Sequence, residues 1–262
     1  MQKIRSKDGT EIAYVTVGDG PAVVLVPGAL NDHRGRASGL PLAEHLRSRF
    51  TVVCFDRRGR GASGDTDAWS IVREIEDLAV LIERVGGTAC VYGMSSGAML
   101  ALEATIAGAP VRKLALFEPP FVVDGTRERL GSDYRARLAM AVAEGRPGDA
   151  VETFMREAVQ LPAAMVDGIK KQPFWPHLAA FGPSLLHDAA IAGDGSLPAT
   201  ERLSKVRVET LVLDGGASPG WMRTGVHTLA KALPNAMYRT LDGQTHDVDP
   251  AVLGAALAEF FA

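Results

Sequence analysis

Residues 89–97 read Ala-Cys-Val-Tyr-Gly-Met-Ser-Ser-Gly, and the stretch from Ala98 to Ala107 is rich in Ala, Leu and Met. An apolar run of this length bounded by Gly has the signature of a buried strand, and the stretch after it has the composition of a helix. Between them lies Gly93-Met94-Ser95-Ser96-Gly97. A turn this tight places strand and helix almost back to back. Glycines on either side of the serine avoid Cβ collisions and let the two elements close up. Ser95 is thereby expected at the apex, held clear of the sheet.

Outward from this turn, strand and helix signals alternate. Residues 10–17, 22–27, 51–55, 112–117, 207–213 and 236–240 are further candidate strands. The middle ones are almost wholly apolar, as parallel strands covered on both faces must be. Residues 71–85 place Ile71, Ile75, Leu78, Ala79, Leu81, Ile82 and Val85 on one broad helical face. Helices are also predicted over 220–232 and 250–261. This rhythm implies an α/β chain with a mostly parallel, doubly wound sheet. Residues 122–205 break it: they show helical pieces interrupted by Gly and Pro and no clear strand. They read as a helical lid or cap inserted into a core formed by 1–121 and 206–262. Ligands in such sheets bind beyond the carboxyl ends of the strands, where that insert would lie.

Composition excludes several classes. Apolar residues are 47% of the chain, charged residues 23%, and the formal net charge is −3. No long single-sign run invites nucleic acid or an anionic membrane. Cys54 and Cys90 lie in apolar strand-like runs and read as small buried hydrophobes. No apolar run approaches the roughly 20 residues that span a bilayer, and the N-terminus lacks an apolar signal core. The expectation is a cytoplasmic monomer or homodimer acting on a small molecule. No metal-ligand spacing and no full dinucleotide-binding pattern is visible, and Gly-Asp-Gly at 18–20 is a turn. No cofactor is expected.

A serine hydroxyl is a poor nucleophile until a base takes its proton. In a chain of this order the base belongs after the last strand, and His246 stands there in Leu-Asp-Gly-Gln-Thr-His-Asp at 241–247. His33, His45, His177, His187 and His227 are worse placed. Two backbone N–H groups must also meet the oxygen on which charge develops. Ser96, after the nucleophile, supplies one. Ala29, in Val26-Pro27-Gly28-Ala29 at a strand end, supplies the other.

Over nearly its whole length the chain resembles the α/β-hydrolase superfamily, in its serine-nucleophile branch. The resemblance is carried by DGTEIAYVTVG, VVLVPGA, VVCFDRRGRGASG, VYGMSSGAMLALEA and the late LDGQTHDV. It implies a Ser-His-acid triad and esterase-like chemistry on an ester, lactone or similar acyl compound. A serine at the turn argues against the branches with an Asp nucleophile. The family's usual acid position, within Asp214-Gly215-Gly216-Ala217-Ser218-Pro219, holds Ser218 instead. A hydroxyl cannot supply the charge that steadies an imidazolium. The resemblance offers Glu118, at the end of a strand where some branches carry the acid, and Asp214 is the alternative; Glu118 is preferred for its reach. Asp247 is expected to act as a helix N-cap or first-turn charge. Arg57, Arg58 and Arg60 are expected to support their loop. Trp175, Trp221, Leu30 and Met94 are candidates for the wall of an apolar pocket. The unusual acid position keeps open a non-hydrolytic catalyst (a lyase, cyclase, acyl transferase or haloperoxidase-like enzyme). A ligand-binding protein on the same scaffold is the remaining class.

Overall fold

The computed structural model describes residues 1–262. Eight strands form one sheet: β1 (Gln2–Arg5), β2 (Glu11–Val17), β3 (Ala22–Val26), β4 (Thr51–Phe55), β5 (Ala89–Met94), β6 (Val111–Phe117), β7 (Glu209–Gly215) and β8 (Ala236–Leu241). Their order is β1-β2-β4-β3-β5-β6-β7-β8. The first two pair antiparallel and the rest run parallel from β4 to β8. This is the doubly wound α/β sheet the alternating pattern implies, and it gives the α/β-hydrolase fold.

The strands are apolar throughout because each residue faces one of two cores. Along β3, Val24 and Val26 enter the core shared with α2 (Ile71–Arg84) and α3 (Ser96–Ile106). Val23 and Leu25 enter the opposite core, covered by α1 (Leu40–Leu46) and α11 (Pro250–Phe261). The same alternation holds in β4, where Val53 and Phe55 face one side and Val52 and Cys54 the other. Fully burying a side chain of this size contributes about 1.5–3 kcal/mol, so both faces hold the sheet in register. Cys54 and Cys90 are free and buried, and burial pushes the Cys54 thiol up to about 12.

Between β6 and β7 the chain forms no strand. It folds into α4 (Tyr134–Ala143), α5 (Pro147–Thr153), a single π turn at Phe154–Ala158, α6 (Ala163–Lys170), α7 (Trp175–Ala179), α8 (Leu185–Ala192) and α9 (Thr200–Leu203). Tyr134, Leu138, Val151, Met155, Val166 and Leu185 belong to a separate small core of this segment. The remaining helix, α10 (Gly220–Ala232), links β7 to β8. No helix is long and apolar enough to cross a membrane. One element was not expected. β1 is exposed along most of its length, so it carries no apolar period, and only its pairing with β2 makes it a strand.

Candidate active site

Ser95 sits between β5 and α3 with φ 56° and ψ −125°, a region that a residue with a Cβ seldom occupies. Three constraints hold it there. Its N–H donates to Phe117 O at 2.9 Å, and its carbonyl accepts from Ala98 N at 2.9 Å. A Cβ at Gly97 would collide with the carbonyl oxygens of Val26 and Pro27, and one at Gly93 would lie 2.6 Å from Ala98 Cα. Gly97→Ala is therefore expected to lower stability by about 3 kcal/mol, read as a fall in the midpoint of urea unfolding; an unchanged midpoint would contradict this packing. Of the four non-glycine residues with positive φ, three (Leu30, Ser95 and Glu118) lie in the loops around this site. Such conformations cost about 1–3 kcal/mol each and persist where the surroundings impose them.

Glu118 follows β6 directly. It is fully buried, and its N–H donates to Leu213 O at 3.0 Å. Its Oε1 accepts from Gly215 N at 2.8 Å, and Oε2 meets His246 Nδ1 at 2.7 Å. His246 comes from the loop between β8 and α11. Gln244 ties that loop down: its carbonyl accepts from Ala217 N at 2.8 Å, and its side-chain oxygen accepts from Asp249 N at 2.8 Å. The His246 ring also stacks on Phe117, with centroids 6.3 Å apart. With Nδ1–H donating to the carboxylate, Nε2 is left as the basic nitrogen. Neither Ser95 Oγ nor His246 Nε2 has a hydrogen-bond partner within the chain, and both residues line one cavity of about 430 Å³. Such contacts often close only when substrate is bound.

The two candidate oxyanion donors also reach this cavity. Gly28 passes so close to the turn that a Cβ would lie 2.9 Å from Met94 O and 3.0 Å from Ser95 Cβ. The N–H groups of Ala29 and Ser96 have no acceptor in the chain. A buried ionic cluster braces the segments that carry them. Arg57 donates to Glu74 through Nε (2.6 Å) and Nη2 (2.9 Å), and through Nη1 to Asp188 at 2.9 Å and Pro27 O at 3.3 Å. Arg60 donates to Asp188 at 2.7 Å and to Gly28 O at 2.6 Å. Ser96 Oγ donates to Asp188 at 2.7 Å. The C=O and N–H of a trans peptide point in opposite directions. Arg60 therefore draws the Gly28 carbonyl one way and turns the Ala29 N–H the other.

Burial pushes the Asp188 carboxyl up, but Arg60 and Arg57 overcome this and hold it down at about 2. Removing one partner of a buried ionic cluster leaves the others uncompensated, at a cost of about 3–5 kcal/mol. Asp188→Ala is expected to destabilise the chain by that amount in denaturant titration, and Asp188→Asn by less. Equal stability of Asp188→Ala and native protein would show that the cluster does not hold the fold.

Asp214, the alternative acid, is buried and hydrogen-bonds neither Ser95 nor His246; it accepts from Tyr238 Oη at 2.7 Å and from Arg223 Nε at 3.1 Å. Ser218 is buried, and its Oγ has no partner. Asp247 is not the cap of α11. That place belongs to Asp249, whose side chain accepts from Ala251 N, while Asp247 pairs with Arg36 at 3.2 Å. Met94 and Trp221 line the cavity, but Leu30 and Trp175 pack against the small core of the helical segment instead. Asp32, His33 and Asp56 bring potential metal-ligating atoms within 4.8 Å of one another. They are already engaged, His33 Nδ1 with Asp56 at 2.7 Å and Asp32 with Arg34.

Asp188 was not anticipated. Its only signal in the chain is indirect: three arginines in a loop next to an apolar strand demand buried carboxylates somewhere.

A fold of this topology with a serine at the β5–α3 turn defines a class, and comparison with known proteins agrees. Residues 23–260 match the model of the alpha/beta hydrolase family, and the chain belongs to that family. An alpha/beta hydrolase structure from Sphaerobacter thermophilus is 49% identical with a TM-score of 0.93, each chain being covered in full. BpoC of Mycobacterium tuberculosis, which carries a non-heme bromoperoxidase name, is 27% identical over 96% of this chain and 97% of its own. A thermophilic esterase structure from Thermogutta terrifontis shares the fold, at 20% identity and a TM-score of 0.75 over 99% of this chain and 98% of the other.

Proposed function

We propose that the chain is a serine hydrolase of small acyl compounds, esters or lactones, working through Ser95, His246 and Glu118. The observation that carries this reading is the 2.7 Å contact of His246 Nδ1 with a buried, doubly held Glu118, on the same cavity as Ser95. His246 Nε2 takes the Ser95 proton as Oγ attacks the acyl carbonyl. Glu118 keeps Nδ1 protonated and stabilises the imidazolium that forms. The N–H groups of Ala29 and Ser96 receive the oxyanion, already aimed by the Arg60–Asp188 cluster. His246 then protonates the leaving group, and water, activated in the same way, releases the acid. The helices between β6 and β7 close the cavity from above and act as its lid, selecting substrate by shape. We place the chain in the cytoplasm and propose that it acts without a cofactor.

A second reading passes the acyl group from Ser95 to a nucleophile other than water; the bromoperoxidase name of BpoC favours it. Product analysis on a panel of small esters and lactones, with acid release followed at constant pH, separates the two. Stoichiometric acid release supports hydrolysis. Acyl-enzyme that accumulates without net acid release, and clears when another nucleophile is added, supports transfer.

A further inference from the structure

The charge on the cavity wall is asymmetric. Asp188 is neutralised by Arg57 and Arg60, and Asp194 pairs with Arg129 at 2.8 Å. Glu128 is exposed at the rim. Arg127 is the only arginine or lysine that lines the cavity, and it forms no ion pair. Its guanidinium carbon sits over the Trp221 ring, 3.9 Å from the centroid, and Nη2 donates to Ala158 O. Trp221 and Ala158 themselves line the cavity, so the cation is built into the wall. Burial lowers its pKa, and no carboxylate acts to restore it.

A guanidinium has five donors in one plane. One is used on Ala158 O. Packing over the indole holds the group in place, and its remaining N–H donors, which have no partner in the chain, suit a planar, bidentate acceptor such as a carboxylate. The cavity lining also includes the apolar Val159, Leu161 and Met222. A half-buried cation without a counter-ion is costly, and an anionic ligand would offset that cost.

We infer that Arg127 is a carboxylate-binding site in the cavity, and that the substrates are esters bearing a free carboxylate. A single cation suits a monoanion better than a phosphate dianion, which would bring a second, unmatched charge into an apolar wall. The inference about substrate class rests on the hydrolase reading; the carboxylate site itself does not.

Two measurements separate these. The first is calorimetric binding of a monocarboxylate series from butanoate to hexanoate to native protein, Arg127→Leu and Arg127→Lys. The expected result is binding by native protein of at least one member, weakened about tenfold to a hundredfold in Arg127→Leu and partly kept in Arg127→Lys. Equal binding by native protein and Arg127→Leu, or no binding of any member, overturns the carboxylate site whether or not the chain hydrolyses anything. The second compares kcat/KM for monophenyl glutarate with that for its neutral methyl ester, which has the same leaving group. Native protein is expected to prefer the anion through KM, and Arg127→Leu to lower the anion-to-neutral ratio about tenfold or more. A ratio that Arg127→Leu does not move overturns the substrate class. Failure to cleave either ester, alongside Arg127-dependent monocarboxylate binding, would count against the hydrolase reading alone.

Discussion

Ser95→Ala is expected to lower kcat for ester hydrolysis by about 10⁵- to 10⁶-fold, with KM little changed. The hydroxyl oxygen is the only atom removed. It makes no hydrogen bond within the chain, and the backbone bonds of Ser95 to Phe117 and Ala98 do not depend on it. Alanine carries the same Cβ into the same positive φ, so stability should stay within about 1 kcal/mol of the native protein. Under the hydrolase proposal, what remains is the contribution of Ala29 N–H, Ser96 N–H and the shape of the cavity, none of which supplies the nucleophile. Steady-state kinetics beside denaturant titration checks both halves. A variant that keeps more than a hundredth of native kcat would move the nucleophile elsewhere.

Glu118→Gln is expected to cost about 10³- to 10⁴-fold in kcat, and the reason is a tautomer rather than a lost contact. The glutamine carbonyl can still accept from Gly215 N, where Glu118 Oε1 does so at 2.8 Å. That turns its NH2 toward His246 Nδ1. Nδ1 must then accept, and the ring proton moves to Nε2, on the side from which the Ser95 proton has to be taken. The imidazolium also loses its neighbouring charge. The pH profile of kcat distinguishes this from simple misfolding. Asp214→Asn is the comparison: Asp214 is held by Tyr238 and Arg223 and makes no bond to His246, so its loss should act on stability and leave the tautomer alone. If Asp214→Asn and not Glu118→Gln brought the large fall in kcat, the acid would have been misassigned.

Much of this architecture was legible because the strands between β3 and β7 are buried on both faces and announce themselves as unbroken apolar runs. β1 was hidden by the opposite circumstance. Gln2–Arg5 lies at an exposed edge, where pairing, not burial, makes the strand. The small residues of Gly93–Gly97 could be read locally, since a tight turn constrains its own neighbours. The contact of Glu118 with His246, 128 positions apart, could not be derived from spacing; only the resemblance pointed to that strand end. Asp188 and Arg127 were silent for the same reason. Each stands in the segment without strand periodicity, and its meaning lies in partners brought from elsewhere: Arg57, Arg60 and Ser96 for the one, Trp221 and Ala158 for the other. Asp249, rather than Asp247, caps α11 because Pro250 begins that helix, a signal that was present in Val-Asp-Pro.

Whether Ser95 is an activated nucleophile is tested most directly by incubating the native protein with a fluorophosphonate, then applying intact-mass spectrometry and peptide mapping. A single adduct is predicted, located on Ser95 and absent from Ser95→Ala. A folded native protein that gains no adduct, or gains one on another residue, would contradict the triad at its centre.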